Sequence, residues 1–304
     1  MNQLTTLERR ALARLSTPDG HLLIVAADQR NSMKAVMQDA PDGVASISTD
    51  QLAEAKHDLV RHLATHGPAI LLDPEVALPG VVEDRTIEPG TALVVGMDAS
   101  GSETVDGLKH TRFVDGVTPR TVRDLGGDAA KMLWYLRPDR QDADSAAVRQ
   151  IGELVRACAD EGVLLIVEIL TYRLEDETEE QYAERFPQLV IDSARLSVEA
   201  GAKVLKLPYP GSAEACAAVT AAAQGVPWAV LSAGVDHTTF IEQVRTAIAN
   251  GASGAMAGRS LWKDSLSVDA DAREELLTSR ALPRLRELQG AVDQTDVDGA
   301  GSAA

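Results

Sequence analysis

The segment GAKVLKLPYP, residues 201–210, sets a lysine inside an apolar run that closes on prolines. It reads as a buried strand, and successive side chains of a strand face opposite ways. Val204 and Lys206 therefore share one face, and Leu205 and Leu207 the other. An ammonium group facing a protein interior is costly, so such a lysine tends to shed its proton and act as a nucleophile. A neutral amine in a pocket forms a Schiff base with a carbonyl substrate. The plainer reading is a strand-end lysine snorkelling to water, and the remainder of the chain has to decide between the two.

Seven further apolar runs surround this one: HLLIVAADQR (21–30), PAILLDPEVALPG (68–80, its strand ending at Asp73), TALVVGMD (91–98), AAKMLWYL (129–136), VLLIVEIL (163–170), WAVLSAG (228–234) and SGAMAGRS (253–260). Helical segments are expected near 50–66, opening at Ser48-Thr49-Asp50, and near 145–160, 179–200 and 239–250. The N-terminus reads as an amphipathic charged helix. Short apolar strands mostly separated by helices predict a (β/α)8 TIM barrel, an α/β fold, as one domain over residues 1–290. AVDQTDVDGAGSAA, 291–304, has no apolar period and reads as a flexible tail. A doubly wound sheet would carry a glycine turn after its first strand, and AADQRNSM has none. Residues 99–128 are less regular and hold the basic cluster Lys109-His110-Thr111-Arg112.

With 46 acids against 29 bases among 304 residues, the net charge is -17. Such a field repels nucleic-acid backbones and anionic membranes, so an anionic substrate must be met by a local basic site. No window is apolar enough for a membrane span and no signal-peptide core is visible, which predicts a cytoplasmic protein. Cys158 and Cys216 lie in alanine-rich helical segments without metal spacing and read as reduced packing residues. His57, His62 and His66 lie within one helical segment that reads as outer and solvated, so we expect no metal site there. No cofactor motif is present, and the sequence is compatible with a homo-oligomer without specifying one.

Barrel enzymes collect their chemistry at the carboxyl ends of the strands. The polar residues at those ends are Asp28, Lys131, Glu168, Lys206, Ser232 and Arg259. Period two allows Lys131, Glu168 and Lys206 to face inward together from consecutive strands about 4.8 Å apart. Lys131 would then serve as a fixed cation beside the nucleophile, with Glu168 and Asp28 moving protons. The bland alternative is a structural ion pair filling the barrel mouth. The turns LSAG (231–234) and AGRS (257–260) close the last two strands, where barrels capture phosphate on backbone amides, and Arg259 adds a bidentate donor. The plainer alternative is that they are tight turns only.

The segments ADQR (27–30), ILLDPEVALP (70–79), VEILTY (167–172), GAKVLK (201–206), LSAGV (231–235) and GASGAMAGRSLW (251–262), with the Lys131 strand, resemble the tagatose 1,6-bisphosphate aldolase family. That family is similar to the sulfofructose phosphate aldolases. The resemblance implies a metal-free class I aldolase that cleaves a phosphorylated ketohexose to dihydroxyacetone phosphate and an aldehyde. It implies Lys206 as Schiff-base lysine, with Lys131, Glu168 and Asp28 beside it. Asp28 and Gln29 would sit near the substrate hydroxyls, and Ser232, Ala233, Gly234, Gly258 and Arg259 on the ketone-side phosphate; Arg30, next along the chain, is a further candidate for binding substrate. Lys203 is a second candidate lysine, disfavoured by its parity and its place at the strand's amino end. Rival readings are a transaldolase-like or dehydratase Schiff-base enzyme, and a non-catalytic phosphosugar-binding regulator. Bases proposed for a distal anion are Arg30, Lys109, Arg112 and Arg173.

Overall fold

The alternation expected at 201–210 divides the protein into two apolar layers. In a computed structural model that describes residues 3–37 and 46–294, Val204 belongs to an inner cluster with Leu22, Ile24, Leu71, Val94, Ile166 and Met256. Leu205 and Leu207 belong to the larger outer cluster, which also takes the buried stripes of the helices. The strands are β1 (Leu22–Ala27), β2 (Ala69–Leu72), β3 (Ala92–Gly96), β6 (Ala129–Tyr135), β7 (Leu164–Leu170), β8 (Val204–Pro208), β9 (Trp228–Leu231) and β10 (Gly254–Ala257). They pair in parallel and close on themselves in the order β1-β10-β9-β8-β7-β6-β3-β2. The fold is a (β/α)8 barrel.

The helices begin where short polar side chains satisfy free backbone N–H groups. Ser48 caps the helix Thr49–Leu63 and Thr178 caps Glu179–Glu199, each in a reciprocal capping box with the glutamine three residues on. Lys56 lies on the buried stripe of the first of these, beside Leu52, Ala55, Leu59, Val60 and Leu63.

Two features depart from the sequence reading. Residues 98–113 form an antiparallel hairpin, β4 (Asp98–Val105) and β5 (Leu108–Phe113), inserted between β3 and β6. β4 is mostly exposed and β5 mostly half-buried, so neither carries an apolar alternation to be read. The segment expected to be loose from 291 begins inside the helix Leu282–Asp293, where Ala291 and Val292 are buried. Residues 295–304 lie outside the described residues.

At the amino end of the barrel, the helix Thr6–Arg14 packs Ala11 against the inner cluster. Its Glu8, 1% exposed, accepts from Lys203 Nζ at 2.6 and 2.7 Å. Lys203 thus belongs to the closed end of the barrel. Cys158 and Cys216 are free and buried, and no described helix is long and apolar enough to cross a membrane.

Candidate active site

At the carboxyl end of the barrel, strand register brings Glu168 on β7 directly opposite Lys206 on β8. Both side chains are buried, and Lys206 Nζ donates to Glu168 Oε2 at 3.0 Å. Lys131 on β6 pairs with Ile166, two residues before Glu168, and its long stem carries Nζ to the same carboxylate. There it meets Asp28 Oδ2 at 2.7 Å, Asp98 Oδ1 at 2.7 Å and Glu168 Oε2 at 3.1 Å. Asp28 follows β1 with the parity of Ile24 and Ala26, and Trp262 donates from its indole to Ala26 O at 3.0 Å, fixing that strand end.

Electrostatics separate the two lysines. Burial alone would strip the proton from Lys131, but Asp28, then Asp98 and Glu168, reverse this and hold its pKa well above the ordinary lysine value. Lys131 is therefore a fixed cation. Burial pushes Asp28 up, but Lys131 and then Lys206 outweigh it and bring the carboxyl down to about 2. Glu168 is likewise lowered, its burial overcome by the same two lysines. Asp98 behaves differently: burial, reinforced by the neighbouring Asp28 and Glu168 carboxylates, outweighs Lys131 and raises its pKa. Sequence reasoning passed over Asp98 although it read the strand to end there.

These groups open into two connected clefts that share Gln29, Glu168 and Lys206. One, of about 330 Å³, runs from Asp28 and Lys131 past Arg30, Asp98, Ser100 and Tyr135. The other, of about 200 Å³, lies under Ser232, Ala233, Gly234, Gly258 and Arg259. The second is built for close backbone approach. Ala233 and Gly234 have φ of 48° and 83°, and a Cβ on Gly234 would stand 3.2 Å from the Arg259 guanidinium. A Cβ on Gly258 would meet Ala26 O at 3.1 Å. Lys263 Nζ donates to Gly234 O at 2.9 Å and holds the turn from outside. The Arg259 guanidinium has no hydrogen bond or ion pair among the described residues, while its carbonyl accepts from Lys263 N at 3.0 Å. Asp28 Oδ1 and Gln29 Oε1 are buried acceptors without a partner among the described residues.

Of the four bases considered for a distal anion, only Arg30 lines the first cleft. Its guanidinium is paired with Glu75 and donates to Asp98 O at 2.9 Å. Lys109 Nζ lies over the rings of Tyr135 and Tyr172, 5.6 and 5.2 Å from their centroids. Arg112 is exposed beside Glu103 at 3.6 Å, and Arg173 donates to Glu177 O at 2.6 Å. His57 is paired with Asp84 at 3.0 Å, and no group of three or more metal-ligating side chains occurs among the described residues.

An eight-stranded barrel with a lysine and carboxylate cluster at the carboxyl ends of its strands is the architecture of a barrel aldolase, and comparison with known proteins agrees. The family model described as DeoC/LacD family aldolase matches residues 22–264, and the chain belongs to that family. It is an aldehyde-lyase. The chain is 24% identical over 324 aligned residues to tagatose 1,6-diphosphate aldolase 2 of Streptococcus agalactiae serotype III (strain NEM316), covering 96% of this chain and 97% of that one. It is 26% identical over 291 residues to tagatose 1,6-diphosphate aldolase of Lactococcus lactis subsp. lactis, covering 86% and 87%. Among solved structures, an archaeal fructose 1,6-bisphosphate aldolase shares the fold with a TM-score of 0.65 at 18% identity, over 95% of this chain and all (100%) of that one.

Proposed function

We propose that the chain is a class I aldolase that reversibly cleaves a phosphorylated ketohexose, of the tagatose 1,6-bisphosphate or sulfofructose 1-phosphate type, to dihydroxyacetone phosphate and an aldehyde. The observation that carries this reading is the pairing of two buried lysines on one carboxylate. Lys131 is claimed by three acids, which leaves Lys206, whose side chain is hydrogen-bonded among the described residues to Glu168 alone, as the amine able to react.

Lys206 Nζ attacks the ketone carbon, and Glu168, 3.0 Å away, moves the protons that let the carbinolamine lose water. The product is a protonated imine. Asp28, whose Oδ1 is a buried free acceptor, takes the proton of the C4 hydroxyl. The C3–C4 bond then breaks, the aldehyde leaves, and the electron pair moves through C2 to neutralise the imine nitrogen as an enamine. Protonation at C3 and hydrolysis release dihydroxyacetone phosphate and free Lys206. Lys131 holds Asp28 and Glu168 in place throughout. The turn at Ser232–Gly234, with Gly258 and Arg259, takes the ketone-side phosphate, and Gln29 meets a substrate hydroxyl.

The test is borohydride reduction in the presence of dihydroxyacetone phosphate, followed by peptide mapping. The adduct is expected on Lys206. An adduct on Lys131 or Lys203, or none, overturns the reading.

A further inference from the structure

Lys56 is a lysine whose side chain is 0% exposed although it belongs to the outer helix Thr49–Leu63. It lines neither cleft. Its ammonium donates to Ala27 O at 2.5 Å and Gln29 O at 2.8 Å, and pairs with Asp73 Oδ2 at 2.6 Å. The other oxygen of Asp73 accepts from the amides of Glu75 at 3.1 Å and Val76 at 2.7 Å. One cation thus ties the end of β1 to the turn after β2.

The two carbonyls it grips belong to the residues on either side of Asp28. Between these two held carbonyls, Asp28 sends its side chain onto Lys131 inside the barrel. Gln29, whose own carbonyl is held, sends its amide to the boundary between the two clefts. Burial lowers the pKa of Lys56, and Asp73 offsets only part of that. An apolar side chain would fit the same helix stripe without that penalty, so packing alone does not account for a lysine here.

We propose that Lys56 is a positioning residue, which by gripping the carbonyl oxygens of Ala27 and Gln29 fixes Asp28 and Gln29 against Lys206 for carbon–carbon cleavage. This rests on the reading above, in which Lys206 forms the imine and Asp28 takes the hydroxyl proton. It separates the two half-reactions, because imine formation at Lys206 with Glu168 does not need the β1 loop in place whereas cleavage does.

The variant to make is Lys56→Met/Asp73→Asn, which removes both buried charges and keeps the Oδ1 acceptor that caps the Glu75 turn. Borohydride trapping with dihydroxyacetone phosphate and steady-state cleavage of tagatose 1,6-bisphosphate are measured side by side, with thermal unfolding to check the fold. We expect trapping within about threefold of the parent and kcat lower by about tenfold to a hundredfold, the scale of a misplaced catalytic group. In an Asp28→Asn background the same pair of changes should lower kcat no further, since the residue it positions is already disabled. Equal loss of trapping and kcat, unchanged kcat, or a full additional loss in the Asp28→Asn background overturns the proposal. If the double variant does not fold, Lys56→Gln is put through the same measurements with the same criteria. Absence of trapping on Lys206 in the unmodified enzyme would instead remove the functional reading beneath it.

Discussion

Glu168 and Lys206 are register partners on adjacent parallel strands, and their side chains meet at 3.0 Å in the mouth of the barrel. In the proposed imine chemistry, a carboxylate so placed moves protons to and from the amine. Lys203, on the same strand, is served by Glu8 at the opposite end.

That contrast separates the two lysines experimentally. Lys206→Met should abolish both borohydride trapping and cleavage. Lys203→Met should leave trapping and kcat close to those of the parent but strand the buried Glu8, costing up to roughly 3 kcal/mol of stability. Denaturant titration and trapping on the same two preparations check both halves, and loss of trapping in Lys203→Met contradicts the assignment.

Asp98 and Asp28 share the ammonium of Lys131, yet their proton affinities diverge, Asp28 at about 2 and Asp98 raised above its usual value. On acidification Asp98 therefore takes up its proton first, and Lys131 loses one of its three acceptors while the other two remain. The acid limb of kcat/KM should lie above the ordinary aspartate range. Asp98→Asn, which carries the neutral form at every pH, should lower kcat/KM near neutrality and remove that limb from the profile. A limb that stays in place assigns the titration to another group.

Most of the barrel was legible because its strands are apolar runs and its helices are capped by short polar side chains. Period two also sorted Val204 and Lys206 inward from Leu205 and Leu207, and Lys206 does line both clefts. Asp98 was missed for a physical reason. It opens a hairpin whose strands are exposed or half-buried and carry no apolar alternation to reveal them. A usable signal was present in Asp106-Gly107, the dipeptide of a tight hairpin turn, where both residues take positive φ. Lys56 was missed because a charge on an outer helix reads as solvated. Its position on the stripe 52, 55, 56, 59, 60, 63 marked it as buried.

Arg259 faces the smaller cleft beside Gly234 without a protein partner among the described residues, so its guanidinium is available to an anion. A charge-assisted hydrogen bond contributes roughly 1.5 to 3 kcal/mol, and Arg259→Ala should weaken handling of a phosphorylated ketone about ten- to a hundredfold. The effect should be much smaller with an unphosphorylated ketose. Unchanged kcat/KM places the phosphate elsewhere.

Arg137, buried behind the site, grips Glu177 through both terminal nitrogens at 2.5 and 2.7 Å and donates to Tyr172 O at 2.8 Å. Hydrogen bonds from Arg137 bring the Glu177 carboxyl down from 4.5 to about 2. A carboxylate lowered by folding stabilises the protein above its unfolded pKa, near 4.5, and that contribution fades as pH falls through about 2. Glu177→Gln should therefore be less stable than the parent at pH 7. The gap should close steadily between pH about 4.5 and 2, as followed by thermal unfolding across that range. A gap independent of pH would show that the ionised form of Glu177 is not what matters.

Arg30 is the one distal base that lines the larger cleft, while Lys109, Arg112 and Arg173 are engaged with aromatic rings or other partners. In a chain of net charge -17, an anionic far end of the sugar has to be met by such a local cation. Arg30→Met should lower kcat/KM for tagatose and fructose 1,6-bisphosphates and for sulfofructose 1-phosphate by at least about tenfold, and barely affect fructose 1-phosphate. Arg112→Met, at an exposed pair, should change none of them. Glu75, half exposed, competes for the same guanidinium, so Glu75→Gln should tighten binding of the doubly anionic sugars selectively. Phosphate and sulfonate present similar oxygens to a single arginine, so the bisphosphates should be cleaved to some extent even where the sulfonate is preferred. Assaying the four sugars side by side decides the matter. Fastest cleavage of fructose 1-phosphate, indifferent to Arg30 and Glu75, would mean that the cleft holds no distal anion site.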